Sequence, residues 1–376
     1  MQTRRTSRRA GFFCVETEMQ SYDVTEFGKP LQTRLREAPV PKGKEVLVRI
    51  THSGVCHSDV HLWQGYFDLG GGQKMEMAKI GMVPPLTLGH EPYGEVVAVG
   101  PDVTDAKVGD VRLVYPWIGC DECWSCQAGD STLCNKPRNL GIGLPGAYAT
   151  HMLVPDSRYL VDATGIDPNF AATLACAGVT AFSAIRKLRP HFVEGDAVAV
   201  IGCGGLGLSA IAQLKAQGFA KIVACDVDDA KLELARQQGA THTVRSDTAD
   251  ARKALAEAGA GRLGAAIDFV GMPATFNLAY GALRKGGVYI ICGLLGGEAS
   301  FSLPILPQRS ISIVGSYVGT LDDLKNLVAL VKTGSVKAPP IATAAPEKLT
   351  GLLEDMEHKR SQGRTVLDIG SVKVAA

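Results

Sequence analysis

The sequence carries almost no excess of charge of either sign. It has 39 Lys and Arg against 38 Asp and Glu, which leaves a formal net charge of +1. A chain so close to neutral has no overall field that attracts nucleic acid or an anionic membrane. It also lacks an apolar run long enough to cross a bilayer. These absences argue against nucleic-acid-binding and membrane-spanning proteins.

A complete export signal is also absent from the first residues. Arg8 and Arg9 follow Ser7 as in a twin-arginine signal, but the apolar stretch 10–15 is too short for a signal core and runs into Glu16. Residues 1–18 are therefore predicted to be a disordered or extraneous tail. The protein is predicted to be cytoplasmic.

Glycine and apolar residues are abundant. The 376 residues include 43 glycines, with 46% apolar and 20% charged residues, as in a globular enzyme of two or three domains. Up to residue 114, short alternating segments separated by Gly and Pro predict strands of a small irregular β-barrel, at 22–27, 31–35, 46–50, 96–99 and 108–114. The long connection 61–88 predicts a functional loop.

The pattern changes near residue 177. From 197 to 292, buried-type strands alternate with helices of nine to twelve residues. This alternation is typical of βαβ units and predicts a doubly wound parallel sheet, the Rossmann architecture. The tail from 311 onwards predicts one strand, a helix over 321–332 with Thr320 as its N-cap, and a last strand near 366–369.

A Gly-x-Gly-x-x-Gly motif lies between the first strand and the first helix of this region. Its glycines are Gly202, Gly204 and Gly207, and the free N–H groups at a helix start bind phosphates. Asp226 ends the next strand, 19 residues after Gly207. A carboxylate there binds ribose hydroxyls and repels a 2′-phosphate, which favours NAD over NADP.

Four of the ten cysteines are clustered, with the spacing Cys-x2-Cys-x2-Cys-x7-Cys, at Cys120, Cys123, Cys126 and Cys134. Four thiolates this close suit a closed tetrahedral zinc site. An iron–sulfur cluster is the alternative among metal sites. A disulfide-bonded or free-thiol loop is the non-metal alternative, which a cytosolic location disfavours.

A second group of possible ligands is dispersed. Cys56 lies in a polar octapeptide, 54–61, while His90 lies between Gly89 and Glu91, and Cys176 lies among small residues. A catalytic zinc uses three protein ligands, of which Cys2His is one set. Periodicity leaves open whether these three residues meet, because single cysteines and histidines are common in protein cores.

In their order, these motifs resemble those of zinc-dependent alcohol dehydrogenases of the medium-chain dehydrogenase/reductase superfamily. The resemblance covers about residues 19–376. It rests on five segments: 54–59, 89–91, the four-cysteine cluster, 176–180 and 202–207. It implies a GroES-like β-barrel catalytic domain and a Rossmann cofactor domain, with NAD and two zinc ions, one catalytic and one structural.

The resemblance also implies roles for individual residues. The catalytic zinc is bound by Cys56, His90 and Cys176, and the structural zinc by Cys120, Cys123, Cys126 and Cys134. Asp59 orients His90, as carboxylates behind metal ligands commonly do. Ser58 accepts the alcohol proton, His61 ends the proton relay on the solvent side, and Glu91 approaches the metal transiently.

The implied cofactor contacts fall into two groups. His57 and Arg364 contact the pyrophosphate, and Lys231 lies near the adenosine ribose. The remaining predicted contacts are Thr180, Gly202, Gly204, Gly205, Leu206, Gly207 and Asp226.

The domain limits implied are 19–177 for the catalytic domain, 178–314 for the Rossmann domain and 315–376 for a segment that completes the catalytic domain. Residues 311–317 resemble the segment through which family members dimerise, so a homodimer or homotetramer is expected.

The implied activity is oxidation of a primary or secondary alcohol, aliphatic, allylic or aromatic, to its aldehyde or ketone, and the reverse. Six apolar residues near the motifs are candidates for the substrate pocket, although each is as readily explained by core packing: Trp63, Tyr66, Phe67, Trp117, Leu140 and Leu294.

Several alternatives remain at this point. A polyol or amino-alcohol dehydrogenase of the same superfamily is the nearest one, but polyol members usually have Glu in place of Cys176. A quinone reductase would lack the zinc ligands, and the cinnamyl-alcohol type usually prefers NADP. A nucleic-acid-binding zinc ribbon would need two separated Cys pairs and a basic stripe. A non-catalytic NAD sensor would have no use for an open zinc position.

Overall fold

The computed structural model describes residues 18–373. The predicted tail 1–18 therefore lies outside the described residues, apart from Glu18. The described chain folds into a β-barrel with a short hairpin at its side and a six-stranded parallel sheet covered by helices. The predicted β-barrel and the predicted doubly wound parallel sheet are thereby confirmed.

The barrel contains strands from both ends of the described chain. Its strands are β1 (Glu18–Val24), β2 (Gln32–Glu37), β3 (Val46–Val55), β6 (Leu86–Thr87), β7 (Pro92–Val99), β8 (Val111–Val114), β9 (His151–Val154), β10 (Leu160–Val161), β17 (Ile341–Ala344) and β18 (Arg364–Asp368). They form a three-stranded sheet in the order β2-β1-β6 and a second sheet in the order β10-β8-β7-β3-β18-β17, to which β9 adds by pairing with β3.

The pairing of β18 with β3 is antiparallel and matches Thr365 with Val55. It brings the C-terminal segment beside the end of the strand that precedes Cys56.

The parallel sheet has the order β13-β12-β11-β14-β15-β16. Its strands are β11 (Ala197–Ile201), β12 (Lys221–Asp226), β13 (His242–Arg245), β14 (Leu263–Asp268), β15 (Val288–Ile291) and β16 (Ser312–Gly315). The strand order reverses direction at β11, and ligands of such sheets bind beyond the carboxyl ends of the strands at this point. The Gly-rich loop follows β11 there.

Eleven α-helices are formed by the described residues. They are α1 (His57–Gln64), α2 (Trp124–Gln127), α3 (Pro168–Thr173), α4 (Val179–Leu188), α5 (Gly205–Ala216), α6 (Asp229–Gln238), α7 (Ala251–Ala258), α8 (Pro273–Ala282), α9 (Ile305–Arg309), α10 (Leu321–Lys332) and α11 (Leu349–Glu357). Thr320 is the N-cap of α10 as predicted, and its side chain accepts a hydrogen bond from the Asp323 amide.

A π-helical turn, Leu174–Gly178, joins α3 to α4. Contrary to the prediction that no segment is long and apolar enough to cross a bilayer, the helical stretch Pro168–His191 is. However, 83% of its most apolar window is buried inside the fold, as expected of a core helix.

One prediction of local structure was wrong. The stretch 61–88 is not a plain loop, because it contains the end of α1, a hairpin of β4 (Tyr66–Gly70) and β5 (Gln73–Glu76), and a 3-10 turn at Met77–Ile80. These elements are short and their burial depends on distant segments, so hydrophobic periodicity does not reveal them.

The hairpin tip contacts the loop after β15, where an added Cβ on Gly70 would lie 2.7 Å from the Gly297 carbonyl carbon. The domain limits at 177/178 and 314/315 stay a prediction.

The close packing of the Gly-rich loop predicts that a side chain at Gly207 will destabilise the fold. A Cβ on Gly207 would lie 1.8 Å from the Gly202 carbonyl oxygen, whereas a Cβ on Gly204 would meet no atom within 4 Å. We expect Gly207→Ala to lower the free energy of unfolding by about 1–3 kcal/mol or more, as at other overpacked sites. Gly204→Ala, the control, should change it by no more than about 0.5 kcal/mol. Denaturant titration of both variants measures this, and equal stabilities would contradict the tight strand–helix contact.

Candidate active site

Three side chains from separate parts of the chain converge beside a large cavity. Cys56 joins β3 to α1, His90 precedes β7, and Cys176 lies on the π-helical turn between α3 and α4. Their ligand atoms all lie within 4.8 Å of one another, and all three residues are buried. The sequence motifs therefore meet in space, which periodicity had left open.

The geometry of this trio fits a zinc ion. The Cys56 and Cys176 sulfurs are 3.8 Å apart. Two thiolates on one tetrahedral zinc, each at about 2.3 Å, are separated by about the same distance. His90 Nε2 is buried without a hydrogen-bond partner among the described residues, as a nitrogen reserved for a metal would be. Cys56 and Cys176 also line the cavity, so a fourth coordination position would open into it.

Asp59 lies behind this trio and is fully buried. Its Oδ1 atom is 3.1 Å from His90 Nδ1, an ion-pair distance, although the geometry of this contact is not that of a hydrogen bond. Its Oδ2 atom accepts hydrogen bonds from the Cys56 amide at 3.0 Å and from the Tyr148 hydroxyl at 2.7 Å. Burial and the Asp59 carboxylate raise the pKa of Tyr148 well above its usual value, so the hydroxyl keeps its proton. Sequence reasoning missed Tyr148, because no motif singles it out.

Glu91 and Arg364 form a buried ion pair with each other. Glu91 Oε1 also accepts a hydrogen bond from the Ala177 amide at 3.3 Å. Burial raises the pKa of Glu91, and the Arg364 cation opposes that rise. The sequence had assigned Glu91 to the metal and Arg364 to the cofactor. Their mutual pairing, which spans 273 residues of sequence, was not foreseen.

Arg364 nevertheless reaches the Gly-rich loop. A Cβ on Gly205 would lie 2.2 Å from Arg364 Cδ, so the aliphatic part of the arginine packs on the start of α5. The Nε atom of Arg364 is buried with no partner among the described residues. This donor is available for an anion at the helix N-terminus, which itself favours negative charge.

Helix α1 carries three more predicted residues. Ser58 lines the cavity, and the rings of His57 and His61 are 5.3 Å apart. His61 is only 8% exposed and its ring lies 4.7 Å from that of Phe67, so it does not sit at an open solvent-side position. Burial, and then the neighbouring His57, lower the pKa of His61 to about 4. The imidazole of His61 is therefore neutral near pH 7.

The predicted nucleotide site lies at the carboxyl end of the parallel sheet. Helix α5 begins within the loop at Gly205 and contains Leu206, and Asp226 ends β12. The Asp226 carboxylate accepts hydrogen bonds from the Cys203 amide at 2.6 Å and from the Val227 amide at 2.8 Å, so it also braces the loop. Lys231 lies in the first turn of α6, and Thr180 is buried in the first turn of α4 and lines the cavity.

The four clustered cysteines form a second compact group. Their sulfurs all lie within 4.8 Å of one another, with Cys123 3.5 Å from Cys126 and 3.8 Å from Cys134. The backbone amides of Cys120 and Lys136 each donate to Cys134 Sγ at 3.3 Å. None of the nine cysteines within residues 18–373 is in a disulfide. Four thiols around one centre fit a closed zinc site.

A cavity of about 1500 Å³ joins the first metal group to the Gly-rich loop. Most of its lining is apolar, and Asp68 is the only charged side chain among the described residues that line it. Of the six predicted pocket residues, Phe67, Trp117 and Leu294 line the cavity. The other three, Trp63, Tyr66 and Leu140, do not. This arrangement can hold a small apolar molecule between a metal centre and a nucleotide.

Comparisons with known proteins agree with this geometry. Residues 42–164 match the alcohol dehydrogenase GroES-like domain, and residues 205–333 match the zinc-binding dehydrogenase family. The chain is 35% identical to an NAD-dependent alcohol dehydrogenase of Sulfurisphaera tokodaii, over 93% of this chain and 99% of the relative.

Two solved structures are also similar. An alcohol dehydrogenase of Aeropyrum pernix has a TM-score of 0.82 and 32% identity, over 93% of this chain and 99% of the other. The D-arabinose dehydrogenase of Sulfolobus solfataricus has a TM-score of 0.78 and 29% identity, over the same shares of the two chains.

The burial of His61 predicts a pH-dependent stability. Its pKa of about 4 lies below the ordinary histidine value of 6.5, so between these values the unfolded chain binds more protons than the folded protein. Stability contributed by neutral His61 is therefore lost as the pH falls from about 6.5 to about 4, by at most about 1.4 kcal/mol per pH unit. In His61→Gln, the free energy of unfolding should fall less steeply across this window. The exposed His358, changed to Gln, is the control, and an unchanged slope in His61→Gln would contradict the assignment.

Proposed function

The chain belongs to the zinc-dependent alcohol dehydrogenases of the medium-chain dehydrogenase/reductase superfamily, and from this we propose that it carries one catalytic and one structural zinc ion. It is an NAD-dependent oxidoreductase that interconverts an alcohol with its aldehyde or ketone. Cys56, His90 and Cys176 hold the catalytic ion. Cys120, Cys123, Cys126 and Cys134 hold the structural ion.

One observation carries this proposal. Two thiols 3.8 Å apart and an unpartnered imidazole nitrogen meet at the wall of an apolar cavity that also reaches the Gly-rich loop. A closed four-cysteine site beside an open Cys2His site matches the division between structural and catalytic zinc. The ion pair of Glu91 with Arg364 leaves Glu91 engaged, so its approach to the metal requires that pair to break.

Side chains on helix α1 carry the proton of the substrate hydroxyl group. Bound zinc supplies a Lewis acid that lowers the pKa of a hydroxyl group, and bound NAD supplies the hydride acceptor. Ser58 lies two residues after Cys56 and accepts the proton of the substrate hydroxyl. His61 follows Ser58 by three residues on the same side of α1 and receives the proton next. Because its pKa is about 4, His61 keeps an unprotonated nitrogen near pH 7.

The cofactor contacts are also part of the proposal. The amides of Gly204, Gly205 and Leu206 at the start of α5 bind the pyrophosphate, together with His57 and Arg364. Gly202 and Gly207 shape the turn, and Thr180 faces the nicotinamide end of the cavity. Asp226 and Lys231 bind the adenosine ribose, and the negative charge of Asp226 disfavours a 2′-phosphate.

The substrate is proposed to be an apolar primary or secondary alcohol. Among the described lining residues, no Lys, Arg or His is present to hold a phosphate or carboxylate. The mostly apolar lining also argues against a polyol, although the D-arabinose dehydrogenase is a structural neighbour. Cys176 supports the same choice, since polyol members usually have Glu there. A polyol or amino-alcohol dehydrogenase stays the alternative.

We also propose a cytoplasmic homodimer or homotetramer. Strand β16 lies at the end of the parallel sheet, and Phe301, Leu303 and Tyr317 near it expose between 38% and 70% of their surface. Apolar surface beside a free strand edge is a common interface between subunits. The free thiols of the described cysteines fit a reducing compartment.

Metal analysis tests the two zinc sites. The wild-type protein should contain two zinc ions per chain. Cys56→Ala should contain one and lose turnover while it keeps its fold, and Cys123→Ala should lose the other ion. Cys225→Ala, which removes a buried cysteine outside both groups, should keep both. Activity retained in Cys56→Ala would contradict the catalytic assignment.

An alcohol panel with each cofactor tests the reaction. From ethanol to hexanol, kcat/KM with NAD should rise by up to about fourfold per methylene, because each buried CH2 contributes about 0.8 kcal/mol. Polyols should react far more slowly, and faster turnover of a polyol than of hexanol would favour the alternative.

Cofactor choice is tested at Asp226. Asp226→Asn keeps an acceptor for the Cys203 amide but removes the charge, and Asp226→Gly removes both. Both variants should show a lower KM for NADP, measured from nicotinamide absorbance. A wild-type enzyme that already prefers NADP would show that Asp226 has another role.

A further inference from the structure

We propose that Tyr148 is a positioning residue of the catalytic metal site, because its hydroxyl group fixes the Asp59 carboxylate that aims His90 at the metal. The proposal rests on the zinc site proposed above. Tyr148 is not among the residues that line the cavity, and its hydroxyl group donates to Asp59, so its effect on the metal site passes through that carboxylate.

The two oxygens of Asp59 have separate tasks. Oδ1 faces His90 Nδ1 at 3.1 Å, while Oδ2 accepts from the Cys56 amide at 3.0 Å and from the Tyr148 hydroxyl at 2.7 Å. Rotation of the carboxylate away from His90 would stretch both bonds to Oδ2. The Tyr148 hydroxyl is the only side-chain donor, among the described residues, that holds Oδ2.

Tyr148 is itself fixed by the segment that leads into His90. Its amide donates to the Leu88 carbonyl at 3.0 Å, and the Ala147 amide donates to the Gly89 carbonyl at 2.8 Å. Gly89 has φ +93°, and a Cβ there would lie 2.6 Å from the Tyr148 ring. The tyrosine ring thus packs on the backbone directly before His90, so ligand and positioning residue share one rigid unit.

Because the Tyr148 hydroxyl is buried, its loss would leave Asp59 without a replacement donor. Tyr148, Asp59 and His90 are all 0% exposed. No solvent is therefore at hand to replace a lost donor, and hydrogen bonds to a buried carboxylate are among the strong ones in proteins. Without the hydroxyl, Oδ2 keeps one donor and the carboxylate gains freedom to turn. A ligand whose supporting carboxylate turns binds its metal less tightly.

Tyr148→Phe tests the proposal, since it removes one oxygen and keeps the ring. Zinc release to a chromogenic chelator should be about tenfold faster from the catalytic site, in keeping with losses at such supporting positions. Release from the four-cysteine site should be unchanged. With cobalt in the catalytic site, the absorption bands should shift, because they report the geometry of the ligands. Equal release rates and unshifted bands would overturn the proposal.

Two controls separate positioning from general stability. Tyr22→Phe removes another buried hydroxyl that donates to a carboxylate, Glu347 at 3.0 Å, and should leave catalytic zinc release unchanged. In an Asp59→Asn background, the further change Tyr148→Phe should add much less than it does in the wild type. Additive effects, or faster release from both zinc sites together, would overturn the positioning role. A wild-type protein that binds no zinc at Cys56 would overturn the proposed metal site as well.

Discussion

Two acidic and two basic side chains are buried together beside the cavity, and each needs a partner inside the protein. They are Asp59, Glu91, His90 and Arg364. An unpaired charge in this interior would cost several kcal/mol of folding free energy. The fold therefore has to bring oppositely charged and hydrogen-bonding groups together from segments that are far apart in sequence. Asp59 finds His90, the Cys56 amide and Tyr148; Glu91 finds Arg364. This constraint accounts for the return of the C-terminal strand β18 to the barrel. Its pairing with β3 places Arg364 within reach of Glu91.

Backbone close approaches make this packing possible. A Cβ on Gly54 would lie 1.8 Å from the Glu91 carboxylate, and one on Gly89 would meet the Tyr148 ring. The same holds at the nucleotide loop, where Gly207 lies against the Gly202 carbonyl. A side chain on Gly54 would displace the partner of Arg364, and one on Gly89 would displace the ring of Tyr148. A side chain on Gly207 would distort the Gly-rich turn. The abundance of glycine in the sequence therefore reflects, in part, how closely the functional loops are packed.

Much of the fold and part of the site could be predicted from the sequence. The Gly-rich loop and the four-cysteine cluster are local, since spacing along one loop sets their geometry. The barrel and parallel sheet follow from alternation and from strand–helix order. The pairing of Glu91 with Arg364 and the contact of Tyr148 with Asp59 could not be predicted, because each joins segments far apart in sequence. The burial of His61 against Phe67 depends on the hairpin β4–β5, whose short strands gave no clear periodic signal.

Arg364 connects the two halves of the active site. Its guanidinium pairs with Glu91, the neighbour of a metal ligand, and its aliphatic chain packs on Gly205 at the start of α5. The metal group and the phosphate loop belong to different sheets, so some contact must set the distance between them. A buried arginine suits this task, because it spans a long distance, stays charged and offers several donors in one plane. Its unpartnered Nε lies among groups that favour an anion, so cofactor binding would complete the hydrogen bonding of the same side chain that holds Glu91 in place. Under the proposed function, the geometry of the metal site and the binding of the nucleotide would therefore be coupled through Arg364.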